Sequence, residues 1–139
     1  MSYICSATTL LARVCLSSVF IFAGVGKFMH PDATAAYMAS KNIPMVSLLL
    51  YVAALVELIG GLSILLGYKT RWGAFLLLGF LVVVTGIFHD FWNLTGELQK
   101  LQMIMFMKNL AIAGGLLYVI GCGAGGCSCD ASCECKSKS

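Results

Sequence analysis

Residues 72–88 read WGAFLLLGFLVVVTGIF and contain no charged side chain. A helix of this length is close to the roughly 20 residues needed to cross the hydrocarbon of a bilayer. The run is bounded by GYKTR (67–71) on one side and HDFWNLTGELQK (89–100) on the other. Both flanks are polar, and each has a tryptophan beside it, Trp72 or Trp92, the residue that favours the membrane–water boundary.

Three more apolar runs lie outward from this one. They extend from about Ile4 to Phe28, from Pro44 to Leu66 and from Leu101 to Gly121. Of the 139 residues, 60% are hydrophobic and 11% are charged, against about 25% charged in soluble domains. Mean hydropathy is +0.93. A soluble domain of this size could not cover so much apolar surface with polar groups. The expected fold is therefore all-α: a transmembrane four-helix bundle with spans at 4–28, 44–66, 72–88 and 101–121. The membrane domain covers 1–121 and a cysteine-rich tail 122–139. No positive segment precedes the first run, and Arg13 interrupts it, so it reads as a retained membrane helix and not as a cleavable signal.

Spans one and two are joined by HPDATAAYMASKNIP (30–44). Asp32 reads as an N-cap, Asn42 as a stop and Pro44 as the opening of the next helix. The small residues between them predict a short helix lying at the membrane surface. An even number of spans puts both termini on one side. That side holds Lys69, Arg71, Lys136 and Lys138, and the other holds Lys41, Lys100 and Lys27 at a helix end. The positive bias predicts cytoplasmic termini. Net charge is +3 with no basic run, which argues against nucleic acid as a partner. Lipid is the expected surrounding.

Arg13, Glu57 and Lys108 fall inside apolar runs. Each carries an insertion cost of about 2.5–3.5 kcal/mol and needs a partner in the bundle interior. Arg13 lies nine residues after Ile4, and Glu57 nine before Leu66. At about 1.5 Å per residue, both sit roughly 13 Å from the same membrane face. An Arg13–Glu57 ion pair is expected, either as a structural pair that fixes helix packing or as a proton- or ligand-handling site. Lys108, Lys27 and His89 approach the opposite half of the bundle and form a candidate site for an anion or a quinone carbonyl oxygen. In the alternative reading the two lysines reach back to the interface, or Asp90 and Glu97 neutralise the cluster. Paired small residues at Gly24 and Gly26, Gly60 and Gly61, and Gly114 and Gly115 are expected to mark close helix approaches.

Five of the seven cysteines lie in the tail, at Cys122, Cys127, Cys129, Cys133 and Cys135. Thiolates at this density suit zinc or copper. A reduced unstructured tail, or disulfides if the tail is external, are the other readings. Cys5 and Cys15 read as small core residues of the first helix.

These residues together resemble the DoxX family of small bacterial membrane proteins. The resemblance rests on Arg13 followed by FIFAGVGKF (20–28), Pro31 and Tyr37, Asn42-Ile43-Pro44, and Glu57-Leu58-Ile59-Gly60-Gly61. Gly67, Arg71, His89-Asp90-Phe91-Trp92, Lys108-Asn109-Leu110 and Gly114-Gly115 complete it. It covers about residues 8–121, and the cysteine tail departs from it. The family takes its name from a subunit of a terminal quinol oxidase complex. The resemblance implies an inner-membrane protein with a quinone- or thiol-linked redox role, working with a soluble oxidoreductase or a second copy. Two other functions fit the sequence: a non-catalytic membrane anchor for such a partner, and metal handling through the cysteine tail.

Overall fold

The computed structural model describes residues 2–126 and 128–130, with side chains from residue 7 onward. The helices run in the order α1 (Ser2–Met29), α2 (Pro31–Ser40), α3 (Val46–Leu66), α4 (Thr70–Phe88) and α5 (Gly96–Cys122). A single 3-10 turn, Phe91–Asn93, lies between α4 and α5. Helices α1, α3, α4 and α5 are long and apolar enough to cross a membrane, so the four-span all-α expectation is met.

Side chains sort as lipid solvation requires. Phe22, Trp72, Phe75 and Ile104 point outward and are exposed, while Phe20, Ile64, Leu77 and Leu116 are buried between helices. Outward apolar groups at this density would be an aggregation surface in water, and in a bilayer they are in their own solvent.

Helix α1 packs on α3, α3 on α4, and α4 on α5, whereas α1 and α5 meet only sparingly. The ring of four is therefore left open along one seam. Small residues close the tight interfaces. A methyl group at Gly24 would strike Leu58 and the Ala54 carbonyl, and one at Gly60 would strike Leu77. One at Gly61 would strike Ile21. Gly26 and Gly114 have open space instead, and Gly115 meets Leu16. Of the expected small-residue contacts, those on the α1–α3–α4 side are thus the tight ones.

The surface helix is α2. Pro31 opens it, Asp32 lies in its first turn, and His30 occupies the capping position. Asp32 therefore acts on the helix dipole and not as a side-chain cap. Asn42 adopts a left-handed conformation after the helix, at φ 54°. Pro44 lies just ahead of α3. Gly67 ends α3 at φ 69°, with its N–H bonded back to Ile64 and Ser63. That left-handed conformation, together with the Ser128 and Arg13 side chains that a methyl group there would strike, leaves room only for glycine.

Candidate functional site

The polar groups inside the bundle are few, and the antiparallel meeting of α1 and α3 positions most of them. Glu57 is buried on α3. Both its oxygens accept from Lys27 Nζ, at 2.8 and 2.6 Å. The two side chains are only 7% and 19% exposed. Phe28 and Tyr51 stack beside the same α1–α3 junction, with ring centroids 5.7 Å apart.

The expected Arg13–Glu57 pair does not form. Arg13 is buried at the other end of α3. There Nε donates to the Ile64 carbonyl at 3.0 Å, Nη2 to Leu65 at 2.7 Å, and Nη1 to Ala124 at 3.0 Å. Depth counted from the ends of the apolar runs assumed that α1 and α3 end level. They do not, because Arg13 already stands beside the last turn of α3. Lys27, about 21 Å further along α1, is the residue that reaches Glu57. The guanidinium fork adds donors to the carbonyls of the last turn of α3, whose end has few of its own, and reaches the tail as well.

The three residues read as a quinone or anion site take different partners. Lys27 binds Glu57, and His89 Nδ1 lies 2.7 Å from Gln102 Oε1. Lys108 Nζ contacts Met105 Sδ on its own helix, at 3.3 Å, in an exposed position. No hydrogen bond or ion pair joins any two of the three among the described residues. Asp90 and Glu97 do not neutralise them either, since Asp90 pairs with Lys41 at 2.6 Å and Glu97 with Lys100 at 3.0 Å. Tyr37 donates to the Phe88 carbonyl at 3.2 Å, so α2 is tied to the end of α4 by one neutral and one ionic contact.

At the terminus side the described tail residues pack against the bundle. The Asp130 carboxylate accepts from the Lys69 N–H at 2.8 Å, the Thr70 N–H at 3.0 Å and the Thr70 hydroxyl at 2.8 Å. Its own N–H donates to the Gly67 carbonyl at 2.8 Å. Asp130 thus does for α4 what an N-cap residue does, from 60 positions away. No local pattern in the sequence signals it. Asn109 was also missed: it is buried and donates to the Thr85 hydroxyl at 2.9 Å, tying α5 to α4.

Burial acts to raise the Asp130 pKa, but the hydrogen bonds from Thr70 and Lys69 and the charge of Arg13 outweigh it and hold the carboxyl below its ordinary 3.8. A group with a depressed folded pKa stabilises fully above its unfolded value and loses that contribution as pH falls through the folded one. Asp130→Asn should therefore lower the unfolding midpoint at neutral pH. The gap to wild type should close as pH falls below the ordinary carboxylate range and Asp130 takes up its proton. A gap of equal size at both ends of a pH-dependent melting series would rule out this carboxylate as the source.

Cys122 and Cys129 are exposed free thiols. Cys127, Cys133 and Cys135, the rest of the expected zinc or copper set, lie outside the described residues. Among the described residues no three metal-binding side chains gather. Cys15 is exposed and lines a cleft between α1 and α5, so it is not the core residue the sequence reading made it. The side chain of Cys5 lies outside the described set.

The chain matches the family model described as DoxX over residues 8–90. Arg13, Lys27, Glu57 and His89 fall inside that segment, and Lys108 and the tail fall beyond it. The inner membrane protein YphA of Escherichia coli (strain K12) is 36% identical over 121 residues, covering 87% of this chain and 86% of its own length. The inner membrane protein YqjF of the same organism is 36% identical over 121 residues, covering 87% of this chain and 88% of its own. The putative oxidoreductase CatD of Bacillus subtilis (strain 168) is 38% identical over 63 residues, which is 45% of this chain and 46% of CatD. No solved structure gives a significant match.

Proposed function

This chain belongs to the DoxX family, and from that premise we propose that it is the membrane component of an inner-membrane redox system acting on a quinone-type substrate. The observation that carries the reading is the Lys27–Glu57 pair. It is a cation and a carboxylate held together among lipid-solvated helices, where ionisable groups are rare and usually functional. The partial likeness to a putative oxidoreductase supports the redox half of it.

The chemistry is simple. An ammonium has three donors. Two are directed at the Glu57 oxygens, and the third is available to a carbonyl oxygen of the substrate. Glu57 is the group placed to take or give a proton there. The Phe28 and Tyr51 rings, paired between the same two helices, offer an apolar surface for a substrate ring. Reduction of a quinone to a quinol needs two electrons and two protons, and the electrons would come from a soluble oxidoreductase bound to the membrane subunit. His89 and Lys108 drop out of the site in this reading, since neither contacts the pair. The positive bias of the turn and tail, to which Arg13 now adds, favours cytoplasmic termini. A reporter fused to the C-terminus that is active only in the cytoplasm reads this directly.

The test is the quinone content of the detergent-purified chain, extracted and measured by chromatography. Glu57→Gln keeps the shape and a hydrogen bond to Lys27 but not the charge. By removing the charge that fixes the direction of the Lys27 ammonium, it should reduce retained quinone by about tenfold, the scale of one charge-assisted hydrogen bond. Lys108→Ala should retain it. Absence of quinone from the wild type, or equal retention in Glu57→Gln, would overturn the proposal. If a soluble oxidoreductase then co-purified with both chains, the anchoring role would stand in its place.

A further inference from the structure

The docked tail builds a second feature that the redox reading does not use. Between the start of α4 and the end of α5 it closes a bowl of about 580 Å³, lined by Lys69, Arg71, Trp72, Cys122, Ser128 and Asp130. The Asp130 carboxylate is directed to the first backbone and hydroxyl donors of α4. Arg71 makes one long contact, Nη2 to the Gly121 carbonyl at 3.4 Å. The Lys69 ammonium lies over the Tyr68 ring, 5.8 Å from its centroid. Among the described residues no carboxylate is within ion-pair distance of either cation. Two cationic residues, Lys69 and Arg71, therefore line a polar bowl at the ends of membrane helices.

We propose that this bowl binds the phosphate of an anionic phospholipid headgroup. Its depth fits, because helix termini stand at the level of lipid headgroups. Trp72, 76% exposed at the rim, is the side chain that favours that level. Charge fits as well: basic pockets between membrane helices take acidic headgroups, and the planar guanidinium of Arg71 matches a phosphate with paired donors. The surroundings favour a lipid over a free anion. Gly123 and Ala124, which form one wall of the bowl, also line the apolar cleft of about 460 Å³ along the open α1–α5 seam. A polar recess thus opens beside a groove suited to acyl chains. The described tail residues 122–126, 128 and 130 are part of the site, since they line the bowl.

The experiment uses the full chain with Trp92→Phe, which leaves Trp72 as its one tryptophan. The protein is reconstituted in phosphatidylcholine vesicles containing a small fraction of brominated phosphatidylglycerol or, separately, brominated phosphatidylcholine. Bromine quenches tryptophan fluorescence on contact. Brominated phosphatidylglycerol should bind in preference by roughly thirtyfold, about fivefold for each cation. Lys69→Asn with Arg71→Gln should abolish the preference. Asparagine tolerates the left-handed backbone of Lys69, at φ 47°, and an unchanged melting curve would show that the bundle is intact. Equal quenching by both lipids in the unmutated background, or a preference that survives the double substitution, would overturn the proposal. Loss of the preference on adding millimolar inorganic phosphate, with magnitude unchanged by matched chloride, would assign the bowl to a free anion and overturn the lipid assignment. None of these outcomes depends on the Lys27–Glu57 site.

Discussion

Lys27→Met lowers the stability of the bundle by about 3–5 kcal/mol, the effect of stranding one member of a buried ion pair. The side chains are 19% and 7% exposed, so water screens the pair weakly. Removing the ammonium leaves Glu57 with both oxygens in an apolar seam. The same principle says that the pair as a whole contributes far less than its rupture costs, because bringing both charges out of water offsets most of their attraction. The double substitution Lys27→Met with Glu57→Leu should therefore recover most of the loss. Unfolding equilibria in mixed micelles, run as a double-mutant cycle, measure both quantities. A single-substitution effect below about 1 kcal/mol is the size seen for exposed pairs. It would show that the pair is hydrated and would remove its claim to be a site.

The second large effect is at Arg13. Its three nitrogens bind the carbonyls of Ile64, Leu65 and Ala124, joining α1, the end of α3 and the tail in one residue. Hydrogen bonds from a charged donor contribute about 1.5–3 kcal/mol each, and they are not additive. Arg13→Met should cost about 3–5 kcal/mol and release the tail, seen as faster proteolysis after residue 122. Arg13→Lys is the informative control. A lysine keeps the charge but cannot present a rigid fork to three carbonyls on two segments, the end of α3 and the tail. It should behave closer to the methionine variant than to wild type. Wild-type stability and tail protection in Arg13→Lys would mean that charge alone is what matters at this position.

The two predictions concern residues whose partners were exchanged between the sequence reading and the structure, and the reason is geometric. Hydropathy showed that Arg13 and Glu57 needed partners, and counting residues gave each a depth. The count took the apolar ends of the first and second spans as level. In the fold, the contact of Gly24 with Ala54 and Leu58 and that of Gly61 with Ile21 set the offset of α1 against α3, and this offset places Lys27 opposite Glu57. Arg13 and Glu57 were legible as buried residues while their pairing was not, and Lys108, expected in the bundle interior, is exposed. His89 and Lys108 illustrate the same point. Both lie toward one end of the bundle by sequence, yet His89 turns to Gln102 and Lys108 stays on the surface of its own helix. Depth along a helix follows from residue number, whereas the direction of a side chain around the helix depends on which neighbour the helix packs against.

Asp130 shows the limit most clearly. It lies among cysteines and small residues, with nothing local to mark it, and its partners are the backbone N–H groups of Lys69 and Thr70. What the amino-acid sequence determined by itself was the solvent and the number of crossings. Transfer of a side chain from water to lipid is a property of that side chain, so a run of them can be summed without knowing the fold. The tertiary structure alone decided which polar group meets which: Lys27 with Glu57, Arg13 with the end of α3, and Asp130 with the start of α4. Hydrogen bonds and ion pairs act over a few ångströms and in fixed directions. Their partners are therefore chosen by the offset and rotation of packed helices, which no single segment contains.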